Sequence, residues 1–190
     1  MRVLIVGSGA REHAIAWKLS RERSVTALIC APGNPGMADI GRCVAVDPGR
    51  PEALLVLARQ EDIDLTVVGP ELPLSLGVVD RFVEQGLMIF GPSADAARLE
   101  SSKVFAKDFM ARHGIPTARF RVCHDAAEAL TVVASGELGW PLVIKADGLA
   151  AGKGVIICQN HIEAVSEFEL MLQQNKFGEA GCSILQITGN

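Results

Sequence analysis

The first residues with the types and spacing for chemistry are a glycine-rich turn, GSGA at residues 7–10, and the Arg11, Glu12 and His13 that follow it. Backbone N–H groups at the start of a helix, together with the positive end of the helix dipole, attract an anion. Arg11 can grip a phosphate through two hydrogen bonds, and a neutral His13 can donate another. The pattern therefore predicts a phosphate site, with solvated helix residues as the alternative.

Two further loops carry polar side chains after predicted strands: PGNPG at 32–36, with Asn34, and GPELPL at 69–74, with Glu71. Ligands in open α/β sheets bind at the carboxyl ends of the strands, so these loops and the first turn are predicted to line one crevice. PGNPG is also a common turn sequence. Glu71 stands between two prolines, which predicts a rigidly held carboxylate that can bond sugar hydroxyls or an amine.

A dinucleotide site is the competing interpretation of the first turn. Its fingerprint needs a glycine where Glu12 stands and an acidic residue after the second strand, where this chain has CAPG at 30–33. An NAD-dependent oxidoreductase is therefore disfavoured, and a saturable NAD titration would be needed to support it.

The second glycine-rich segment is GLAAGKG at residues 148–154. It is not a Walker motif, because only three residues separate Gly148 from Gly152, and Gly154 stands where that motif has Ser or Thr. It lies between two predicted strands, so we expect a hairpin flap that closes over a polyphosphate. Three lysines are predicted to screen the phosphates of one nucleotide: Lys103, Lys145 and Lys153. Surface lysines around a glycine hairpin are the alternative.

The elements that must position these residues change character near the middle of the chain. In the first half, short β-branched runs alternate with amphipathic stretches, which predicts a parallel sheet with helices on both faces. The predicted strands are 3–6, 25–30, 43–46, 65–68 and 87–90, and the predicted helices are 11–21, 51–61 and 77–85. Gly91 and Pro92 end the last of these strands and Ser93 can cap a new helix, so we place a domain boundary near residue 93.

The second half predicts an α+β fold with antiparallel pairing. Apolar runs at 142–144 and 155–157 flank the second glycine-rich segment as a hairpin. Helices are predicted at about 101–113, 125–134 and 162–173, with a further strand at 119–123. The predicted architecture is thus α/β, with a Rossmann-like parallel-sheet domain over residues 1–93 followed by an α+β domain over 94–190.

Composition excludes several classes of protein. The 190 residues carry a formal net charge of 18 − 22 = −4, with 5% aromatics and no tyrosine. This argues against a nucleic-acid surface, which needs basic and stacking residues. No stretch approaches the ~18 apolar residues of a membrane-spanning helix and no signal peptide is evident, so we expect no membrane partner and a cytoplasmic protein. The five cysteines are widely spaced and odd in number, which favours reduced thiols over disulfides or a zinc site.

Several stretches together resemble one family closely. They are VLIVGSGAREHAIAWKL, APGNPG, DLTVVGPELPLSLGVVD, FGPSADAARLESSKVFAKDFMARHGIPTA and PLVIKADGLAAGKGVIIC, in order within residues 1–181. The chain resembles the phosphoribosylamine–glycine ligases, or glycinamide ribonucleotide synthetases, of the ATP-grasp superfamily. The resemblance implies a pre-ATP-grasp domain followed by a partial ATP-grasp domain, and a role in purine biosynthesis.

The reaction that the resemblance implies joins glycine to 5-phosphoribosylamine. ATP phosphorylates the glycine carboxylate to glycyl phosphate, the amine attacks that carbonyl, and ADP, phosphate and glycinamide ribonucleotide leave. By the same resemblance Mg²⁺ or Mn²⁺ accompanies ATP, and the partners are small molecules. The implied phosphoribosylamine pocket contains Gly9, Arg11, Glu12, His13, Asn34 and Glu71. The implied ATP site contains Lys103, Lys145, Gly148, Gly152, Lys153 and Gly154, with Lys145 and Lys153 as the catalytic cations.

The sequence departs from the family over its last residues. The family continues from 177–181 into a hinge of paired glutamates, where this chain has Ile187 and Thr188 within CSILQITGN at 182–190. We therefore expect a truncated or frame-shifted product that contains no metal ligands and has little or no ligase activity by itself. A non-catalytic sugar-phosphate-binding module is the alternative. Missing strands are also expected to leave an edge at 142–144 and 155–157 unpaired, which promotes association, while the oligomeric state itself is not predicted.

Overall fold

The aliphatic runs of the first half form a five-stranded sheet in the computed structural model, which describes residues 1–148, 155–168, 170 and 184–188. The strands are β1 (Arg2–Gly7), β2 (Ala27–Pro32), β3 (Arg42–Cys43), β4 (Leu65–Val68) and β5 (Ile89–Phe90). Their order is β3-β2-β1-β4-β5, and every neighbouring pair is parallel. The predicted parallel sheet is therefore confirmed.

Helices cover both faces of this sheet, because the apolar side chains of the central strand β1 point alternately to one face and to the other. They are α1 (Ala10–Leu19), α2 (Pro35–Ala38), α3 (Pro51–Gln60), α4 (Glu71–Ser75), α5 (Val78–Glu84) and α6 (Ala94–Ser101). Leu4 of β1 belongs to the core cluster that contains Leu54 of α3 and Phe82 of α5. Ile5, the next residue, belongs to the cluster that contains Ala16 of α1. Successive strand residues point to opposite faces, so one strand supplies two cores.

The first unit ends later than the sequence indicates. The chain divides into Met1–Arg98 and Leu99–Asn190, whereas the boundary was predicted near residue 93. The first residues of α6 are held by the first unit, because the Ala94 N–H donates to Asp80 Oδ2 at 2.8 Å and Ala97 is buried in its core. Ser93 does cap the new helix, since its Oγ accepts from the Ala96 N–H at 3.3 Å.

The second unit contains an antiparallel sheet, again as predicted. Its elements are α7 (Lys103–Arg112), β6 (Phe120–Cys123), α8 (Ala126–Ser135), β7 (Leu142–Ala146), β8 (Val155–Cys158), α9 (His161–Phe168) and β9 (Ile184–Thr188). The strand order is β6-β9-β7-β8, with every neighbour antiparallel. Leu142 and Ile144 of β7 are buried in one cluster with Phe168 of α9.

Strand β9 overturns one expectation about the second sheet. It lies between β6 and β7 and pairs with both, so the segment at 184–188 is an integral part of the sheet. The expected unpaired edge at 142–144 was therefore wrong, because β7 has a partner on each side. Strand β8 does lie at an edge.

No helix among the described residues is both long and apolar enough to cross a bilayer.

Candidate functional site

Arg11 links the turns that follow β1 and β4 in the first unit. Its Nε donates to Glu12 Oε1 at 3.0 Å, and its Nη2 donates to Glu71 Oε1 at 3.0 Å. The two strands are neighbours in the sheet, so the turns at their carboxyl ends meet at one edge. The structure thus brings Glu71 next to Arg11 and Glu12, although Glu71 comes from a separate segment of the sequence.

Glu12 is the buried member of this group, with only 3% of its surface exposed. Its Oε2 accepts from the Gly9 N–H at 2.7 Å, which satisfies one of the free amides at the start of α1 and places a negative charge at the positive end of the helix dipole. That amide was part of the predicted anion site, and in this structure it already has the Glu12 carboxylate as its partner.

The fit around Glu12 explains one of the glycines after β4. A Cβ built on Gly69 would lie 2.5 Å from Glu12 Cδ and closer still to Oε1, a separation that real Cβ atoms essentially never show. Gly69 has no positive φ, so its backbone conformation is one that any residue adopts. The three atoms nearest to that Cβ all belong to Glu12, so the Glu12 side chain is what first excludes a larger residue there.

The loop after β2 is joined to the first turn by Asn34. Its Nδ2 donates to the Ser8 carbonyl at 2.9 Å, while its Oδ1 accepts from the Met37 N–H at 3.0 Å and so caps α2. The His13 ring packs against Gly36, where a Cβ would lie 3.1 Å from each ring nitrogen. The predicted crevice residues thus lie along a single edge of the sheet, on the loops after β1, β2 and β4.

Glu71 differs from its prediction in one respect. It is not fixed in a loop by flanking prolines but is the first residue of α4. Its own backbone N–H and the Arg11 guanidinium lower the pKa of its carboxyl group, and the hydrogen bonds that Arg11 donates to Glu12 and Glu71 raise the pKa of Arg11. The Arg11 and Glu71 side chains are 58% and 36% exposed, so this ion pair is open to a ligand. It offers a permanent cation for an anion and a carboxylate for hydroxyl or amine donors.

In the second unit, three lysines surround the start of α7 and the end of β7. Burial is the largest cause that lowers the pKa of Lys103 and of Lys107, and the charge of Lys145 lowers both further. Lys107 Nζ donates to the Ala118 carbonyl at 3.3 Å and also to the Thr117 hydroxyl. Lys103 and Lys145 were predicted from the sequence, whereas Lys107, one helical turn after Lys103, was missed.

Asp147 and Gly148 follow β7 directly and contact the first turn of α7. Asp147 Oδ2 accepts from the Ser102 hydroxyl at 3.0 Å, and Oδ1 accepts from the Val104 N–H at 3.1 Å. Lys103 Nζ donates to the Gly148 carbonyl at 2.7 Å. Asp147 was also missed, although a charged residue directly after a buried strand is a signal that could have found it. Gly152, Lys153 and Gly154, the other predicted residues of this segment, lie outside the described residues.

Lys145 lies on the open face of the second sheet. Along β7, Leu142, Ile144 and Ala146 are buried, so Val143 and Lys145 point to the opposite face. Register pairs Val143 with Ile157 and Lys145 with Val155 of β8, and both β8 residues are exposed. An apolar surface with an ammonium group at one end suits a flat base and its attached phosphates.

The described residues offer no set of side chains for a metal ion. Within ranges 1–148 and 155–168, no three His, Cys, Asp or Glu side chains cluster in a way that could hold one.

Comparison with known proteins assigns both units to one family. The family model for the phosphoribosylglycinamide synthetase N domain matches residues 1–100, and the model for the ATP-grasp (A) domain of the same synthetase matches residues 101–187. The chain belongs to the phosphoribosylglycinamide synthetase family. The match extends to residue 187 and so includes most of the segment at 182–190 that was expected to be unlike this family.

Curated phosphoribosylamine–glycine ligases match nearly all of this synthetase-family chain. The phosphoribosylamine–glycine ligase of Xanthomonas axonopodis pv. citri is 52% identical over 187 residues, which is 97% of this chain and 43% of the relative. The corresponding ligase of Pseudomonas aeruginosa is 51% identical over 187 residues, with the same shares covered. The chain therefore spans less than half the length of the curated relatives that it matches.

Solved structures agree on the fold. The phosphoribosylamine–glycine ligase of Thermotoga maritima is 30% identical with a TM-score of 0.79, over 100% of this chain and 44% of that one. The biotin carboxylase domain of the Hydrogenobacter thermophilus 2-oxoglutarate carboxylase, solved with MgADP, ADP and bicarbonate, is 21% identical with a TM-score of 0.76, over 99% of this chain and 44% of that one. The second likeness shows a shared fold alone.

Proposed function

We propose that this chain contributes to the ATP-dependent ligation of glycine to 5-phosphoribosylamine, with phosphoribosylamine bound by the first unit and ATP by the second. The observation that carries the proposal is the Arg11 guanidinium between Glu12 and Glu71 at the carboxyl edge of the sheet, in a member of this synthetase family. A solvent-open cation beside an ionised carboxylate suits a ligand that has both a phosphate and an amine.

Each side chain of the first unit then has a definite role. The exposed guanidinium of Arg11 binds the phosphate, and Glu71 accepts hydrogen bonds from the amine or the sugar hydroxyls. Glu12 is buried, so it orients Arg11 and the Gly9 turn and does not itself meet the phosphate. Asn34 and His13 border the same edge and line the sugar.

Ribose 5-phosphate, a stable analogue of the amine substrate, tests this site. Titration by calorimetry should give saturable binding that Arg11→Ala weakens about tenfold or more, since a charge-assisted hydrogen bond contributes about 1.5–3 kcal/mol. Arg81→Ala is the matched control, because Arg81 is 57% exposed and pairs with Glu52 on the helical surface. Equal affinities of the parent and Arg11→Ala would refute the assignment.

The proposed ATP site uses the open face of the second sheet. The base lies against Val143 and Ile157, and the phosphates meet Lys103 and Lys145, whose charges offset the negative charge of the phosphoryl group in transfer. A glycine carboxylate oxygen attacks the γ-phosphorus and ADP leaves. The amine nitrogen of phosphoribosylamine then attacks the carbonyl carbon, and phosphate leaves as the amide forms.

Two measurements test the second half of the proposal. Lys145→Met should weaken ATP binding about tenfold or more, while Lys18→Met, which removes an exposed lysine paired with Glu22, should leave it unchanged. Glycine-dependent ADP release with fresh phosphoribosylamine and Mg²⁺ then measures turnover. The sequence predicts little or none from this chain by itself, and measurable turnover would show that prediction wrong while supporting the substrate assignment.

A further inference from the structure

The carboxylate at the end of β7 makes more contacts with α7 than a helix cap needs. Ser102 alone satisfies the capping position, because its Oγ accepts from the Phe105 N–H at 3.1 Å. Asp147 adds a second layer: it accepts from the Ser102 hydroxyl through both oxygens, at 3.0 and 3.3 Å, and from the Val104 N–H at 3.1 Å. The end of β7 is thus joined to the first turn of α7 across more than forty residues of sequence.

These contacts surround Lys103, the residue between Ser102 and Val104. Its ammonium group donates to the Gly148 carbonyl at 2.7 Å, so the residue after Asp147 contacts it as well. Burial and the charge of Lys145 disfavour the charged form of Lys103, while Asp147 and the more distant Glu100 favour it. Asp147 therefore offsets the repulsion between two ammonium groups that lie on different elements, one on α7 and one on β7.

We propose that Asp147 is a positioning residue for the nucleotide phosphates: by joining the end of β7 to the start of α7, it fixes the Lys103 and Lys145 ammonium groups relative to each other before the nucleotide binds. This inference rests on the proposed ATP site of the second unit. Asp147 does not meet the phosphates, since its oxygens are directed at Ser102 and Val104. It acts through the lysines.

A carboxylate is required for both parts of this role. Two oxygens with several lone pairs can accept from a hydroxyl and an amide at once, whereas an asparagine amide has one acceptor oxygen. A negative charge at the amino end of α7 is also favourable for the helix dipole. Asn in place of Asp keeps the size and one acceptor but removes the charge, so it separates the electrostatic part of the role from simple packing.

The test compares Asp147→Asn with Asp125→Asn in the 190-residue chain. Asp125 is the matched control, because it is also an aspartate at a helix start in this unit and accepts from the Glu128 N–H at 2.8 Å. Ser102→Gly is the second variant: it removes the hydroxyl contacts to Asp147, keeps the charge, and costs the helix only a few tenths of a kcal/mol, since glycine caps nearly as well.

Two readouts are needed, one without nucleotide and one with it. The pKa of the Lys103 ammonium, followed by NMR of ¹³C-labelled lysine in the free chain, should fall in Asp147→Asn and stay unchanged in Asp125→Asn and Ser102→Gly. The charged groups around Lys103 are Asp147 and Lys145 at the end of β7, Glu100 on α6 and Lys107 on its own helix. The dissociation constant for ATP with Mg²⁺ should rise about tenfold in Asp147→Asn and about threefold in Ser102→Gly.

The outcomes separate this inference from the proposed function. If Asp147→Asn binds ATP as tightly as the parent, or if the Lys103 pKa is unchanged in that variant, the role of Asp147 is refuted. The proposed ATP site is not affected by either result. The role of Asp147 is also refuted if Asp125→Asn weakens ATP binding by the same factor, because the loss of any helix cap would then explain the weaker binding. If the parent fails to bind ATP while the pKa shift occurs, the nucleotide site itself is refuted, and the inference with it.

Discussion

Replacing Gly69 by alanine should expel Glu12 from its buried position, although Gly69 touches no ligand in the proposed reaction. The added Cβ would lie 2.5 Å from Glu12 Cδ and closer still to Oε1. The backbone at Gly69 is free of positive φ, so its conformation is open to alanine, and the three atoms nearest to the added Cβ all belong to Glu12. The carboxylate must therefore move, and its hydrogen bonds to the Gly9 N–H and to Arg11 Nε must lengthen or break.

The size of the effect follows from these two contacts. Hydrogen bonds to a charged group contribute about 1.5–3 kcal/mol each, and overpacking of a tight site costs about 1–3 kcal/mol. Part of the loss is recovered when the carboxylate reaches water, so we expect Gly69→Ala to lower the free energy of unfolding by about 3 kcal/mol. Glu12→Ala loses the same two hydrogen bonds and should cost about as much.

The variant that combines Gly69→Ala with Glu12→Ala tests whether the strain comes from Glu12. Once Glu12 is alanine, the three side-chain atoms nearest to the new methyl group are removed, and a Gly→Ala change at an ordinary φ is neutral or stabilises by up to about 1 kcal/mol. Gly69→Ala should therefore cost about 3 kcal/mol with Glu12 present and about zero without it. The two changes lie in direct contact, so the coupling energy of the cycle should be about 3 kcal/mol.

Urea unfolding followed by tryptophan fluorescence measures the cycle. The chain has two tryptophans, Trp17 on α1 of the first unit and Trp140 in the second, so a Trp140→Phe background reports the first unit alone. Gly49→Ala is the control, since Gly49 also has no positive φ and a Cβ there would lie 3.2 Å from the flexible end of Asp47. An equal cost of Gly69→Ala in both backgrounds would refute the reasoning, because the strain would then come from somewhere other than Glu12.

Three further outcomes follow from the described contacts. Thr66→Val should raise the free energy of unfolding by about 1 kcal/mol in urea titrations, because the Thr66 hydroxyl is buried and has no hydrogen-bond partner among the described residues. Lys145→Met should raise the pKa of both Lys103 and Lys107 in lysine NMR titrations, since the Lys145 charge lowers both, and unchanged values would contradict the proposed cluster. Burial, followed by neighbouring Cys43, raises the pKa of Cys30 to about 12, so Cys30 should resist iodoacetamide at pH 8 in the folded chain and react after unfolding, as mass spectrometry can show.

The first sheet was predictable because each strand is marked within a few residues of sequence. The run at 65–68 was predicted with its observed bounds, and the run at 51–61, which opens on proline, agrees with α3 to one residue. The short helices α2 and α4 were not predicted. They have four and five residues, too few to show a helical period, and they depend on contacts such as the Asn34 cap.

The parts that the sequence could not predict depend on contacts between distant segments. Strand β9 has an ordinary apolar pattern, but its place between β6 and β7 is set by pairing with residues about forty or more positions away. The position of Asp147 directly after a buried strand marks it as a candidate, but its role depends on Ser102 and Val104, which lie far back in the chain.

The two units use a carboxylate in the same way, and this bears on how the chain would bind its ligands. Glu12 accepts a hydrogen bond from Arg11 in the first unit, and Asp147 stands beside Lys103 in the second, so each cation that we propose to bind phosphate has a carboxylate next to it before a ligand arrives. An ordered side chain loses less conformational entropy on binding, which improves affinity. An anion must nevertheless compete with a carboxylate that is already in place. Ligands that also give the carboxylate a donor, as an amine or a hydroxyl gives Glu71, therefore gain over simple phosphate, and this favours a sugar phosphate amine over inorganic phosphate at the first site.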